Sequence, residues 1–412
     1  MNHFRKLALT LSLTLLGANL SACAKPSTEH TSSTSQSMRE WFYAFSELDL
    51  SEVGVAKQIT LVDDTSPLII NDKAELWQVP HPDKPIKLAK GVSSSVSAVA
   101  KFDKVAFADK DGYFNLIQNG QRYHSSIRLS PHSAMLMLPL ATIAVEAHDD
   151  GTASLVRLEV VGNRVQTVAR FGSVMPDARP VQINFTGDNT NGHIAVLSHP
   201  DSRTYRHGVL GDDIEARQVQ FLERHSLTPL SKPLTVRGLV FEANTFEILP
   251  HSKGNHLVTT IAGGGYGAST VVIGNVDNQL QIIAQSTPLS NNRWQSPFVF
   301  GDNLYAIQMP HLVGRFVKYI QSGDQLNEKV LGEGYSNHAI GEFDTNLVAG
   351  RNNFALIPHK GYRQISILTT EGDIVSLSDN LPAPIIKILS NDNQAYLLLS
   401  NGTIWVLNAQ TQ

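Results

Sequence analysis

One cysteine in 412 residues, charge on only 17% of positions and no sustained helical periodicity are the first facts of this sequence. With Cys23 alone, no disulfide framework can form within the chain, so its stability has to come from packing. The charged fraction falls below the ~25% of typical soluble domains, while Val, Ile, Leu, Thr, Ser, Asn and Gly dominate, which favours strands and tight turns. The 15 histidines form no HExxH, no pair four apart on a helix and no Cys/His cluster, so a zinc site of the usual kinds is not expected. A serine nucleophile on a strand-to-helix elbow is excluded too, since Gly334-Tyr335-Ser336-Asn337-His338 lacks both the final glycine and the helix. Gly263-Gly264-Gly265-Tyr266-Gly267 runs into the strand-like Val271-Val272-Ile273, so no helix N-terminus follows it to hold a phosphate, and its glycines read as a turn.

What is present begins with Arg5 and Lys6, the uncharged run Leu7 to Leu16 and then Leu20-Ser21-Ala22-Cys23, the layout of a secretory signal whose core is too short to span a bilayer. These residues resemble the bacterial lipobox. That resemblance implies cleavage after residue 22 and acylation of Cys23 (diacylglycerol and palmitate), with anchoring to a membrane in the cell envelope. Ala24 after the cysteine implies the outer membrane. More than one acyl chain gives a stable anchor, because each buried methylene adds about 0.8 kcal/mol. Losing Arg5 and Lys6 with the signal takes the 33 basic residues to about 31 against 37 acidic ones, so nucleic acid is not an expected partner.

Residues 23–37 are Ser, Thr, Gln, Lys and Pro without apolar periodicity and read as a lipidated tether reaching Met38. Residues 38–57 hold Trp41, Phe42, Tyr43 and Phe45, either as a short amphipathic helix or as an aromatic strand that docks on or completes the following domain. From residue 58 to 412 the pattern is short β-branched and aromatic runs separated by Asp, Asn, Gly and Lys turns. Gln58 to Val79, Val96 to Ile117 and Ile385 to Leu407 share one plan of strand, turn, strand, polar turn, strand. Equivalent first strands are expected near Gln58, Val96, Ser133, Val181, Phe246, Ser296, His338 and Ile385. Repeats of roughly 40 to 50 residues mean propeller blades or solenoid turns, and the Leu or Gly consensus of solenoids is missing. The expected fold is all-β, a single β-propeller of eight blades, or seven if the N-terminal strand is borrowed from the first unit.

Past residue 180 five stretches, Tyr205 to Asp212, Gly263 to Ala268, Asn292 to Pro297, Met309 to Gly314 and Ser336 to Gly341, resemble bacterial FG-GAP/VCBS-type repeat propeller proteins. The resemblance implies a propeller in the envelope and no particular reaction. Repeats of that type carry Ca²⁺-binding DxDxDG loops. Here Asp109-Lys110-Asp111-Gly112 is an isolated half and Asn184-Phe185-Thr186-Gly187-Asp188 keeps one carboxylate, so plain turns are the preferred reading over Ca²⁺ and no cofactor is expected. Ser400 to Ala409 resembles one repeat of the quinoprotein-type propellers, and the ligands and base that a quinone needs are not found.

His207, Asp212, Glu215, Arg293, Trp294, His311, Asn337 and His338 fall in expected loops. If the repeats gather those loops on one rim, these side chains form a ligand site at the mouth of the central channel; otherwise they brace tight turns and neighbouring blades. The architectural signals are strong and no nucleophile, metal cluster or cofactor loop accompanies them. A binding or scaffold module for an envelope protein or glycan is therefore preferred over a propeller enzyme acting on an envelope substrate such as a glycan.

Overall fold

The computed structural model describes residues 41–80, 83–187, 192–377 and 380–411. The expected signal, Cys23, the tether and Asp188 lie outside the described residues. Every regular element described is a strand, and no helix among the described residues is long and apolar enough to cross a membrane.

Among the described residues the registers define eight successive antiparallel units, whose first strands are Ala56–Val62, Val99–Lys101, Leu136–Met137, Val181–Ile183, Glu247–Leu249, Gln295–Phe300, Ala349–Arg351 and Ile385–Ser390. The first unit runs Ala56–Val62, Ser66–Asn71, Glu75–Gln78, Ile86–Lys90, each strand pairing with the one before. First strands of neighbours lie side by side, as the parallel bridge between Val62 and Ala100 shows. The last unit takes its outer strand from the other end of the chain: Trp41–Glu47 pairs antiparallel with Ile404–Thr411, from Trp41 opposite Thr411 to Glu47 opposite Trp405. A ring closed in this way leaves no open seam between its two chain ends. In the fourth unit the outer strand shrinks to bridges Leu222–Pro229 and Val219–Leu234, because Pro229 and Pro233 carry no N–H for a continuous ladder.

The core sits between the units, and the strand alternation puts it there. Leu68 and Ile70 pack with Ala100 and Phe107 of the second unit, while Ile69 between them packs with Tyr396 and Leu398 of the eighth. Ala106 and Ala108 turn to Ala144 and Val156 of the third. The same pattern recurs where Leu304 and Ala306 meet Val258 and Val272 while Tyr305 and Ile307 meet Ala355 and Ile357. Both faces of each small sheet are therefore apolar, which is why the runs look nearly continuous rather than half polar. Burying one such side chain contributes about 1.5 to 3 kcal/mol, and a unit standing alone would leave both sets exposed.

One expected strand start needs correction. Seven fall within three residues of those expected, but His338 lies in a loop and its strand begins at Ala349. The intervening segment is an insertion that the turn-and-strand pattern does not distinguish from a blade edge.

Candidate functional site at the mouth of the ring

Antiparallel order sorts the loops. Connections between first and second strands and between third and fourth strands fall on one face, and several are two-residue turns, such as Phe102-Asp103, Asp277-Asn278 and Gly301-Asp302, with positive φ where the turn demands it. The other face carries the second-to-third loops and the passages between units. There lie residues 202–214, closed by Asp201 pairing with Glu215, residues 309–314, and residues 333–348. Gly314 shows how tightly these are laid: at φ 63° its missing Cβ would stand 1.8 Å from the carbonyl oxygen of Tyr335.

Three of the expected site residues meet on this face. The Trp294 indole lies nearly parallel to the His311 ring at 6.1 Å and meets His338 edge-on at 4.8 Å. His311 Nε2 is 2.9 Å from His338 Nδ1, and His338 Nε2 is 2.8 Å from the carbonyl oxygen of Glu342. A carbonyl only accepts, so His338 carries its proton on Nε2 and receives one at Nδ1 from His311. Burial, opposed by the Glu342 carbonyl and aided by His311, pushes the His338 pKa down to about 4, which keeps the relay neutral. Burial also lowers His311.

Trp294 Nε1 donates to the carbonyl oxygen of Glu242 at 3.2 Å, and the carboxylate of that same residue reaches His207 Nδ1 at 2.6 Å. His207 thus joins the group through Glu242, which has no exposed surface. Glu215 is the common electrostatic neighbour of Glu242, Asp177 and the half-buried Asp212. Burial first, then the charges of Glu242, Asp177, Asp212 and Asp213, hold Glu215 well above the usual carboxylate range. Burial with the Asp212 charge raises Asp177 to about 6, against a hydrogen bond from Asn244 and the charge of Arg179. Asp177 Oδ2 accepts from Asn244 Nδ2 at 3.1 Å, whereas Asp177 Oδ1 and Glu242 Oε2 have no hydrogen-bond partner in the protein.

Residues 336–347 lie across the ring opening. Asp344 is bonded through one oxygen to Arg179, which precedes the fourth unit, and through the other to Lys387 on the first strand of the eighth, at 2.7 Å. Those units are the fourth and the eighth along the chain. The Phe343 ring stacks on His132 at 3.9 Å, its carbonyl accepts from Asn244 at 2.7 Å and Arg179 at 3.2 Å, and Gly341 N donates to the carbonyl of Val209 at 3.0 Å. Four other units thereby hold one loop.

The remaining expected residues are placed differently. Asn337 is buried and braces the base of the loop, donating to Asn346 Oδ1 at 3.1 Å. Asp212 Oδ1 closes a turn by accepting from Ile214 N at 2.8 Å, while its charge faces Asp177 and Glu215. Arg293 stays outside the stack and donates to its neighbour's carbonyl at Asn292. Glu215, expected in a loop, is instead the buried first residue of the strand Glu215–Leu222. In the half-loop at Asp109 the carboxylate is occupied by its own turn, accepting from the backbone of Asp111 and Tyr113 and from Asn115. Sequence reasoning missed Asp177, Arg179, Tyr205, Glu242, Phe343, Asp344 and Lys387. The available signal was Glu242 directly after the apolar pair Val240-Phe241, a carboxylate where burial is already implied.

No protein-family model matches the chain, and no curated protein matches it. Among solved structures, BamB from Moraxella catarrhalis superposes with a TM-score of 0.53 at 12% identity, over 88% of this chain and 98% of that one. Sqt1 from Saccharomyces cerevisiae does so with a TM-score of 0.55 at 12% identity, over 85% of this chain and 95% of that one. Both are β-propeller proteins. The fold is a β-propeller. At this identity the likeness carries the architecture alone, so the chemistry of the propeller mouth has to be argued from its own residues.

Proposed function

We propose that the protein is a lipid-anchored binding module of the bacterial envelope, an eight-bladed propeller of FG-GAP/VCBS type that presents its long-loop face to a protein or glycan partner. Cys23 would carry the acyl anchor at the outer membrane, and the tether to Met38 would let the propeller search the space beside it. One observation carries the reading: the long connections converge on a single face, interlock there, and still leave Leu312 (49% exposed), Val313 (37%) and Ile340 (68%) on the surface. Apolar side chains on cross-braced loops form a preorganised contact patch, which lowers the ordering cost of binding.

A photo-crosslinking residue at Ile340 should capture one defined partner in cells, while the same residue at Phe102, on the short-turn face, should not. Equal capture from both positions overturns the assignment of the face. Cys23→Ser should leave an unprocessed precursor, and an intact mass showing an unlipidated mature chain refutes the anchor.

The second reading is an enzyme acting on an envelope glycan, and one feature favours it. Burial raises both Glu215 and Glu242 above the usual carboxylate range, the direction in which a general acid is tuned. Turnover of envelope glycans by the purified protein, lost in Glu242→Gln, would establish that reading in place of the first.

A further inference from the structure

Beneath the loop that crosses the ring opening, three oxygens from three different segments are left without a hydrogen-bond partner in the protein: Asp177 Oδ1, Glu242 Oε2 and the Tyr205 hydroxyl. Their residues are 7%, 0% and 5% exposed. Burial, and then the charges of Glu242 and Glu215, push the Tyr205 phenol above its ordinary range. The three residues belong to one network, through the Tyr205 and His207 rings at 5.5 Å, the His207 to Glu242 bond at 2.6 Å and the bond from Asn244, two residues beyond Glu242, to Asp177 at 3.1 Å. An unpaired buried polar atom costs on the order of 1 to 3 kcal/mol, so leaving three in one network is a poor solution for a merely structural core. Over this network lie Phe343, whose carbonyl accepts from the same Asn244 that bonds Asp177, and Asp344, which engages Arg179 and Lys387; the Arg179 charge also acts on Asp177.

We propose that this chamber is a recognition site for a primary ammonium group, closed in the free protein by the segment Ala339 to Asp344. An ammonium offers three donors on one compact charge, which matches three orphan acceptors, whereas a guanidinium needs a planar fork of paired oxygens. Among the described residues no three His, Cys, Asp or Glu side chains are spaced to hold a metal ion. A bound cation opposes the burial that raises these carboxyls, so binding is linked to proton release. The chemistry could come from a lysine side chain on a protein partner or from an amino sugar. The inference deepens the reading of the mouth as a binding face and depends on it.

The test is calorimetric titration of the whole soluble chain from residue 24 with two probes, Nα-acetyl-lysine methylamide and glucosamine, in phosphate and in MOPS. Saturable binding of either probe, with heat that depends on the buffer through proton release, is expected, and the tighter probe identifies the source. The Nε-acetylated lysine analogue should not bind. Tyr205→Phe should weaken binding roughly tenfold, the scale of one hydrogen bond to a charged group. Its melting temperature should stay level or rise, because that hydroxyl bonds nothing in the free protein. Asp344→Ala should strengthen binding by loosening the roof. Absence of binding in both wild type and Asp344→Ala, equal binding of the acetylated analogue, or saturation by Ca²⁺ alone overturns the proposal. If the Ile340 crosslink still captures its partner in those cases, only the ammonium site falls; if that fails as well, the binding face falls with it.

Discussion

Asp177→Asn should make the protein more stable at neutral pH and leave it unchanged at pH 4. Asp177 is 7% exposed, and burial beside Asp212 raises it from 3.8 to about 6. A carboxyl with a raised folded pKa binds its proton more tightly in the native state than in the unfolded chain. Stability linked to it is therefore complete below about pH 4 and is lost as pH climbs through about 6. The shift of roughly two units corresponds to about 3 kcal/mol once the group is ionised. Asparagine keeps the shape, can still accept from Asn244 with its carbonyl oxygen, and removes the charge. Urea unfolding followed by tryptophan fluorescence at unit steps from pH 4 to 8 gives both stability curves. The variant's advantage should be near zero at pH 4, grow through pH 5 and 6, and level off near 3 kcal/mol, about a quarter or more of the total stability of an ordinary domain. It can exceed that figure, since Asp177 also raises Glu215. Parallel curves would refute the burial argument and show Asp177 to be hydrated.

His338→Gln should tilt the curve the other way: with a folded pKa of about 4 against 6.5, His338 costs about 3 kcal/mol when acid forces its protonation, so the variant should lose less stability than wild type between pH 6.5 and 4. Asp344→Ala leaves Arg179 and Lys387 facing each other's charge across the opening and should cost about 3 kcal/mol, read as a lower urea midpoint. Two cations hold the Asp344 carboxyl below its ordinary range against burial, so wild type should also lose stability below about pH 4 and Asp344→Ala should not. Gly314→Ala, whose Cβ would meet the Tyr335 carbonyl at 1.8 Å, should cost about 2 to 4 kcal/mol. Gly301→Ala, with the same sign of φ and open space around it, should cost about 1 kcal/mol, and equal melting temperatures for the two would refute the steric argument.

The repeat architecture was legible because its cause is local. Leu68, Ile69 and Ile70 are apolar in succession since a sheet packed on both faces buries odd and even positions alike, and that repeats in each unit whatever the rest of the chain does. Strand starts fall out of the same pattern until residues 336–347, where Ser336-Asn337-His338 looks like a turn leading into a strand and is the foot of a loop. Trp294, His311 and His338 could be nominated because each sits beside Pro or in a polar loop that a propeller brings to its mouth.

The chamber beneath was not legible, and the reason is physical rather than statistical. Asp344 and Arg179 are 165 residues apart, and Asn244 and Phe343 are 99 apart, so no spacing rule links them. Asp177 in Met175-Pro176-Asp177-Ala178 reads as a solvated turn residue, and its turn is indeed a turn. Only closure of the ring takes that turn out of water, and only then does its second oxygen lack a partner. Single orphaned polar atoms occur elsewhere too, as at Thr60, Gln220 and Thr259, but here two carboxyls and a phenol fall in one network within a core that is mainly apolar against apolar. Where local consistency breaks, stability has been given up, and function is the usual reason. Tyr205→Phe puts that to the test more sharply than any charge removal, because a hydroxyl that bonds nothing in the free protein has no structural duty to lose. If its removal changes neither ligand binding nor partner capture, the chamber is a packing fault and the function of the propeller lies in its exposed rim alone.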